Sequence, residues 1–83
     1  MIFGDLRMTH YLYSESGETI GYLDSHKKYL YSTHGDGVIA YFDSRRMYMY
    51  TTGGQVYGYI SGSARKYLYR VAGGLVGYFH PSL

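Results

Sequence analysis

Apolar and polar positions alternate with a period of two along most of this chain, in short stretches punctuated by glycine. Tyr11-Leu12-Tyr13, Tyr29-Leu30-Tyr31, Tyr48-Met49-Tyr50 and Tyr67-Leu68-Tyr69 share one form. Gly21-Tyr22-Leu23, Ala40-Tyr41-Phe42, Gly58-Tyr59-Ile60 and Gly77-Tyr78-Phe79 share a second. A glycine separates the two forms each time, at Gly17, Gly35, Gly54 and Gly73. Period-two alternation sends successive side chains to opposite faces, which predicts half-buried strands and excludes a helical stripe. The first tyrosines follow one another at 18, 19 and 19 residues, and the extra residues fall in the second turn and the third connector. Insertions confined to loops mark a structural repeat.

The pairing within each unit can be worked out from the turns. Two-residue loops at Ser16-Gly17, Gly53-Gly54 and Ala72-Gly73 suit glycine, which supplies the positive φ of a tight hairpin. They predict Tyr13 opposite Ile20, Leu12 opposite Gly21 and Tyr11 opposite Tyr22. The third unit pairs Tyr50 with Tyr57, Met49 with Gly58 and Tyr48 with Tyr59. The fourth pairs Tyr69 with Val76, Leu68 with Gly77 and Tyr67 with Tyr78. A three-residue loop, His34-Gly35-Asp36, keeps the same register in the second unit, with Tyr31 opposite Ile39, Leu30 opposite Ala40 and Tyr29 opposite Tyr41. A slip of one residue would turn every side chain to the other face. One face therefore carries tyrosines and a β-branched residue; the other carries Leu or Met, Gly or Ala, and Leu, Phe or Ile.

Four hairpins make eight strands. An open sheet of eight would leave two unpaired edges, and a ring leaves none. The expected fold is all-β: four tandem β-hairpin repeats of about 18 residues, closed into a small, shallow, pseudo-four-fold symmetric barrel. An eight-stranded barrel has an interior just wide enough to be filled by side chains. The small residues suit its concave side, so Leu12, Leu23, Leu30, Phe42, Met49, Ile60, Leu68 and Phe79 are expected to line the axis, with the tyrosines outside. The reverse arrangement would need an oligomer or a lipid surface to cover Leu and Phe. One domain spans 1–83, with hairpins over 9–26, 27–45, 46–64 and 65–83. Residues 1–8 form a partial extra unit at the seam, since Phe3-Gly4-Asp5 is similar to Tyr22-Leu23-Asp24.

Composition agrees with this reading. Thirteen tyrosines, 12 glycines, one proline and no tryptophan favour strands and tight turns. No cysteine is present, so no disulfide and no thiolate metal site is available. A chain of 83 residues buries only roughly 60–65% of its unfolded surface, so the core is thin. No leader peptide and no apolar run of membrane-spanning length is evident, and a cytoplasmic location is expected.

The repeated Tyr-Leu-Tyr-Ser, Gly and Gly-Tyr-Phe-Asp units, over residues 9–80, resemble the four-fold beta-flower proteins. These are small bacterial domains in which hairpin petals form a shallow symmetric barrel. The resemblance implies the barrel and, by analogy with related flower-like folds, an apolar central channel suited to hydrophobic or lipid-like ligands. The fourth unit departs from the pattern, with Arg70 in place of Ser or Thr and His80-Pro81 in place of Asp-Ser.

Charge is uneven along the repeat. Seven of the eight basic residues lie in connectors, as Arg7, Lys27, Lys28, Arg45, Arg46, Arg65 and Lys66. Glu15, Glu18 and Asp36 lie on the turn side with Arg70. In a closed ring all connectors share one rim, which is then positive and attracts phosphate or carboxylate groups. Lys27, Lys28, Arg45, Arg46, Arg65 and Lys66 are the candidate ligand-binding residues. Charged loops also serve a plainer purpose, keeping a tyrosine-rich surface soluble. The tyrosines likewise read as cross-strand pairs that stabilise the sheet, or as platforms for sugars or bases.

Catalysis finds little footing. His10, His26, His34 and His80 occupy different columns of the repeat, so symmetry does not gather them around a metal. Asp24-Ser25-His26 contains the residue types of a triad, but adjacent residues do not reach triad geometry. Gly53-Gly54 and Gly73-Gly74 are hairpin tips without the strand, loop and helix of a phosphate-binding loop. The expected function is a non-catalytic binding or scaffold module without cofactor or metal. Its apolar axis and basic rim suit an anionic or amphipathic, lipid-like ligand. A purely structural or homo-oligomerising unit is the alternative. Single-stranded nucleic acid is the weaker candidate, since a net charge of +2 is small for that purpose.

Overall fold

The computed structural model describes residues 9–24, 28–35, 37–81 and 83. The element order is β1 (His10–Tyr13), β2 (Thr19–Leu23), β3 (Tyr29–Ser32), β4 (Val38–Asp43), β5 (Tyr48–Tyr50), β6 (Val56–Ser61), β7 (Tyr67–Arg70) and β8 (Leu75–His80). The strands form a closed antiparallel barrel in sequence order. β8 returns to β1 through Tyr11↔His80, Leu12↔Phe79 and Tyr13↔Tyr78. Among the described residues the protein is all-β, with no helix. The expected partial unit over 1–8 lies outside them.

The loops are one residue longer than the turn chemistry predicts. Ser14 N–H donates to Glu18 O at 2.8 Å and Gly17 N–H to Ser14 O at 2.9 Å, so the first loop has three residues. Thr51 to Gln55 and Arg70 to Gly74 close their loops the same way, and Ser32 donates to Gly37 O around a four-residue loop. Gly17, Gly54 and Gly73 take φ of 90°, 89° and 99°, the left-handed position at which a three-residue hairpin ends. Three side chains brace these loops: Ser14 Oγ accepts Glu18 N–H, Thr51 Oγ1 accepts Gln55 N–H, and Ser32 Oγ accepts His34 N–H.

A longer loop by itself would slip the register. A bulge one step inside each hairpin reverses the slip. Tyr13 pairs with Thr19 but Leu12 with Gly21; Tyr31 pairs with Val38 but Leu30 with Ala40. Tyr50 pairs with Val56 but Met49 with Gly58; Tyr69 pairs with Leu75 but Leu68 with Gly77. The expected inner pairs are therefore present. The expected outer pairs, Tyr13–Ile20, Tyr31–Ile39, Tyr50–Tyr57 and Tyr69–Val76, are corrected by one residue. A bulge leaves one residue unpaired and re-aims its side chain. Here Ile20, Ile39, Tyr57 and Val76 are those residues, and all four pack against the core. They do not add to the tyrosine face, as simple alternation had implied.

The core consists of Leu12, Leu23, Leu30, Ala40, Phe42, Met49, Ile60, Leu68 and Phe79. Large residues meet across one set of ladders, as Leu23↔Leu30, Phe42↔Met49, Ile60↔Leu68 and Leu12↔Phe79. Across the alternate ladders a large residue meets a small one, as Leu12↔Gly21 and Met49↔Gly58. The small residue is demanded by the wall itself. A methyl group at Gly21, Gly58 or Gly77 would overlap the carbonyl oxygen of Tyr31, Tyr69 or Tyr13 on the next strand. Burying these large side chains contributes roughly 1.5–3 kcal/mol each, the main favourable term in so small a fold.

Candidate functional site

The eight apolar residues expected on the axis are all buried, with exposures of 0–8%. A water-wide bore would leave its lining accessible, so at these positions the axis is filled by side chains. The open apolar channel that the family resemblance implies has no counterpart beside them.

Polar chemistry therefore falls to the two ends and the outer wall. At the connector end, Asp43 Oδ1 accepts the backbone N–H groups of Arg45 and Arg46 at 3.0 and 3.3 Å. Asp24 Oδ1 accepts Lys28 N–H at 3.2 Å. An Asp at the head of a turn binds its own backbone in this way. Both acids are thus engaged by connector backbone, while Lys28, Arg45 and Arg46 stand exposed. Lys66 is half-buried and its Nζ donates to Gly62 O at 2.6 Å. Lys27 lies outside the described residues, as do Arg7 and His26.

Two of the candidate cations meet tyrosines of the outer wall. Lys28 Nζ is 5.8 Å from the Tyr29 ring centre, and Arg65 Cζ is 4.5 Å from that of Tyr78. Arg65 also lines a cleft of about 360 Å³ with Ala64, Phe79, His80 and Pro81. Beside it the barrel seam is tied by His10, which is 3% exposed and whose Nδ1 lies 2.7 Å from Pro81 O. That bond engages one ring nitrogen of His10. His34 and His80 are exposed. Among the described residues no group of three or more His, Cys, Asp or Glu is placed to hold a metal. No helix there is long and apolar enough to cross a membrane.

The outer wall is a belt of tyrosine rings. Tyr22–Tyr31, Tyr41–Tyr50 and Tyr59–Tyr69 stack at 5.3–5.4 Å, and Tyr13–Tyr78 sits at 5.6 Å across the seam. Such offset pairs contribute about 0.5–1.5 kcal/mol each beyond their buried area. Tyr11, Tyr29, Tyr48 and Tyr59 remain 38–41% exposed. A second, larger cleft of about 500 Å³ opens on this wall, lined by Thr9, Tyr11, Tyr22, Ser32, Thr33 and Gly35. Apart from the tyrosines its residues carry no motif. Comparison with protein-family models, with curated proteins and with solved structures gives no match.

Proposed function

We propose that this chain is a non-catalytic binding module that seats a phosphate-bearing anion at its connector end. The observation that carries the reading is the Arg65 cleft. An arginine held over an aromatic ring is restricted in its rotamers yet keeps N–H donors for a phosphate or carboxylate. Arg65 has that placement, beside the exposed His80. Lys28, Arg45 and Arg46 add positive charge at the same end, which raises the rate of encounter with anions. The filled axis favours a head group or free phosphate over a tail threaded through the barrel.

In this reading the barrel is a pseudo-four-fold array of one hairpin, like the beta-flower proteins it resembles. A bulge in each of the four hairpin ladders supports the symmetry, as do the near-equal stacking distances on successive seams. The same symmetry is also compatible with a purely structural or oligomerising role, and binding experiments separate the two.

The test uses inorganic pyrophosphate and vesicles of phosphatidylserine or phosphatidylcholine as probes. Binding to pyrophosphate or to the anionic vesicles should weaken as salt is raised, because exposed charges are screened. Vesicle binding without pyrophosphate binding assigns the anion to a lipid surface; the converse assigns it to a free phosphate. The variant Lys28→Glu/Arg46→Glu/Arg65→Glu, one charge from each cationic connector, should bind at least about tenfold more weakly with its thermal transition retained. Equal binding by that variant, or no binding by the native chain, rejects the proposal.

A further inference from the structure

Two corners of the tyrosine wall share a geometry and differ in what fills them. On β7–β8, Tyr67 and Tyr78 lie 6.4 Å apart with ring planes at 64°. On β1–β2, Tyr11 and Tyr22 lie 6.3 Å apart at 53°. The first corner is occupied by the chain's own Arg65, two residues before Tyr67, with Cζ 4.5 Å from the centre of the Tyr78 ring. Two residues before Tyr11 stands Thr9, whereas the same sequence position holds Lys27 and Arg46 in the other two hairpins. Thr9 is too short to cover Tyr22. The corner it leaves is the 500 Å³ cleft.

We propose that the Thr9 cleft binds a guanidinium-type organic cation, which takes on Tyr22 the position that Arg65 takes on Tyr78. The face of a tyrosine ring is negative and attracts a planar cation. The guanidinium group brings five N–H donors that need acceptors. Thr9, Ser32, Thr33, Tyr11 and Tyr22, each bearing a hydroxyl, line the cleft, and among the described residues its lining includes no lysine or arginine. Some of these acceptors are already fixed in place. Thr33 Oγ1 points its one proton at Thr19 O and Ile20 O, each 3.0 Å away, and Ser32 Oγ accepts His34 N–H at 3.0 Å. Both oxygens keep a lone pair for a further donor.

The local charge has the matching sign. Residues 9–24 include Glu15, Glu18 and Asp24 and no lysine or arginine, against a chain that is positive as a whole. An acidic hairpin whose aromatic corner is covered by no cation among the described residues attracts cations, while the cationic connectors repel them. The cleft exceeds a bare guanidinium group, so a ligand with a body attached fits. It is either a small guanidino compound or an arginine side chain from a second copy of this chain.

Ring-proton NMR tests the assignment directly. Methylguanidinium should shift the Tyr11 and Tyr22 resonances saturably, with the weak affinity expected of an exposed site. Thr9→Arg should fill the corner from within and weaken that binding at least about tenfold. Arg65→Thr should empty the other corner and add saturable shifts at Tyr67 and Tyr78. This second variant decides the matter should Thr9→Arg fail to fold. Shifts at Tyr11 and Tyr22 that grow with protein concentration alone, and vanish in Arg45→Gln/Arg46→Gln, identify the second copy as the source; shifts only with added probe identify a free compound. The proposal is overturned if native protein shows no saturable shifts, if glucose shifts the rings as strongly, or if both variants titrate as the native chain does.

Discussion

Phe79→Ala is expected to abolish the cooperative unfolding transition at room temperature or to lower its midpoint by more than about 12 °C. Phe79 is 1% exposed, sits in β8 and faces Leu12 across the ladder that closes the ring. Truncating a buried phenylalanine costs about 3–5 kcal/mol, through lost transfer free energy and the cavity left behind. A chain of this length has roughly 4–12 kcal/mol of stability in total, at roughly 0.05–0.15 kcal/mol per residue. The substitution therefore removes between a quarter and all of it. Val71, 63% exposed in the β7–β8 loop, serves as the control, and Val71→Ala should change stability by less than about 0.5 kcal/mol. Far-ultraviolet circular dichroism through a thermal ramp measures both. A midpoint only a few degrees lower for Phe79→Ala would mean that the axis is not packed as described.

The second large effect comes from adding a single methyl group. At Gly77 it would overlap Tyr13 O and lie 3.3 Å from Leu12 Cδ1. A backbone oxygen cannot swing aside as the end of a side chain can, so relief must come from parting β8 and β1. Overpacking of this kind costs about 1–3 kcal/mol, which exceeds the ~0.4–1 kcal/mol by which alanine usually restricts the unfolded chain. Parting that ladder also exposes two strand edges, so Gly77→Ala should associate as well as lose stability. Ala40 is the informative contrast: it stands opposite Leu30 as Gly77 stands opposite Leu68, and it is fully buried. Ala40→Gly should cost about 1–2 kcal/mol, from backbone entropy and the lost burial of one methyl group, without association. Urea denaturation and light scattering of the two variants check this pair. A Gly77→Ala protein as stable and as dispersed as the native one contradicts the closeness of the seam.

The periodicity carried most of the fold. Alternation placed Leu12, Leu30, Met49 and Leu68 on one face, and the glycine positions located the turns. The loops are one residue longer than expected because Ser16-Gly17 and Ala72-Gly73 suit two-residue and three-residue turns alike. The error stayed local. Each bulge shifts the register back by the amount that each longer loop shifts it forward, so pairs such as Leu12–Gly21 are the same by either route. What alternation could not reveal is that Ile20, Ile39 and Val76 turn inward, since a bulge leaves no mark in the pattern of apolar letters. Among the candidate site residues, the sequence grouped the cations by connector but did not show that Arg65 lies over Tyr78 beside a cleft. The Thr9 cleft leaves only a faint signal in the sequence, a missing charge in a column of basic residues, visible when the four units are compared position by position.

The tyrosine belt also makes the barrel its own optical probe. With no tryptophan to collect the excitation, and ring centres 5.3–5.6 Å apart, absorbed light can pass from one phenol to the next before it is emitted. Emission from the closed ring should thereby be depolarised even when the whole molecule is held still in a viscous medium. Unfolding leaves only the Tyr-X-Tyr neighbours close along the chain, so anisotropy in such a medium should rise as the ring opens, without any attached dye.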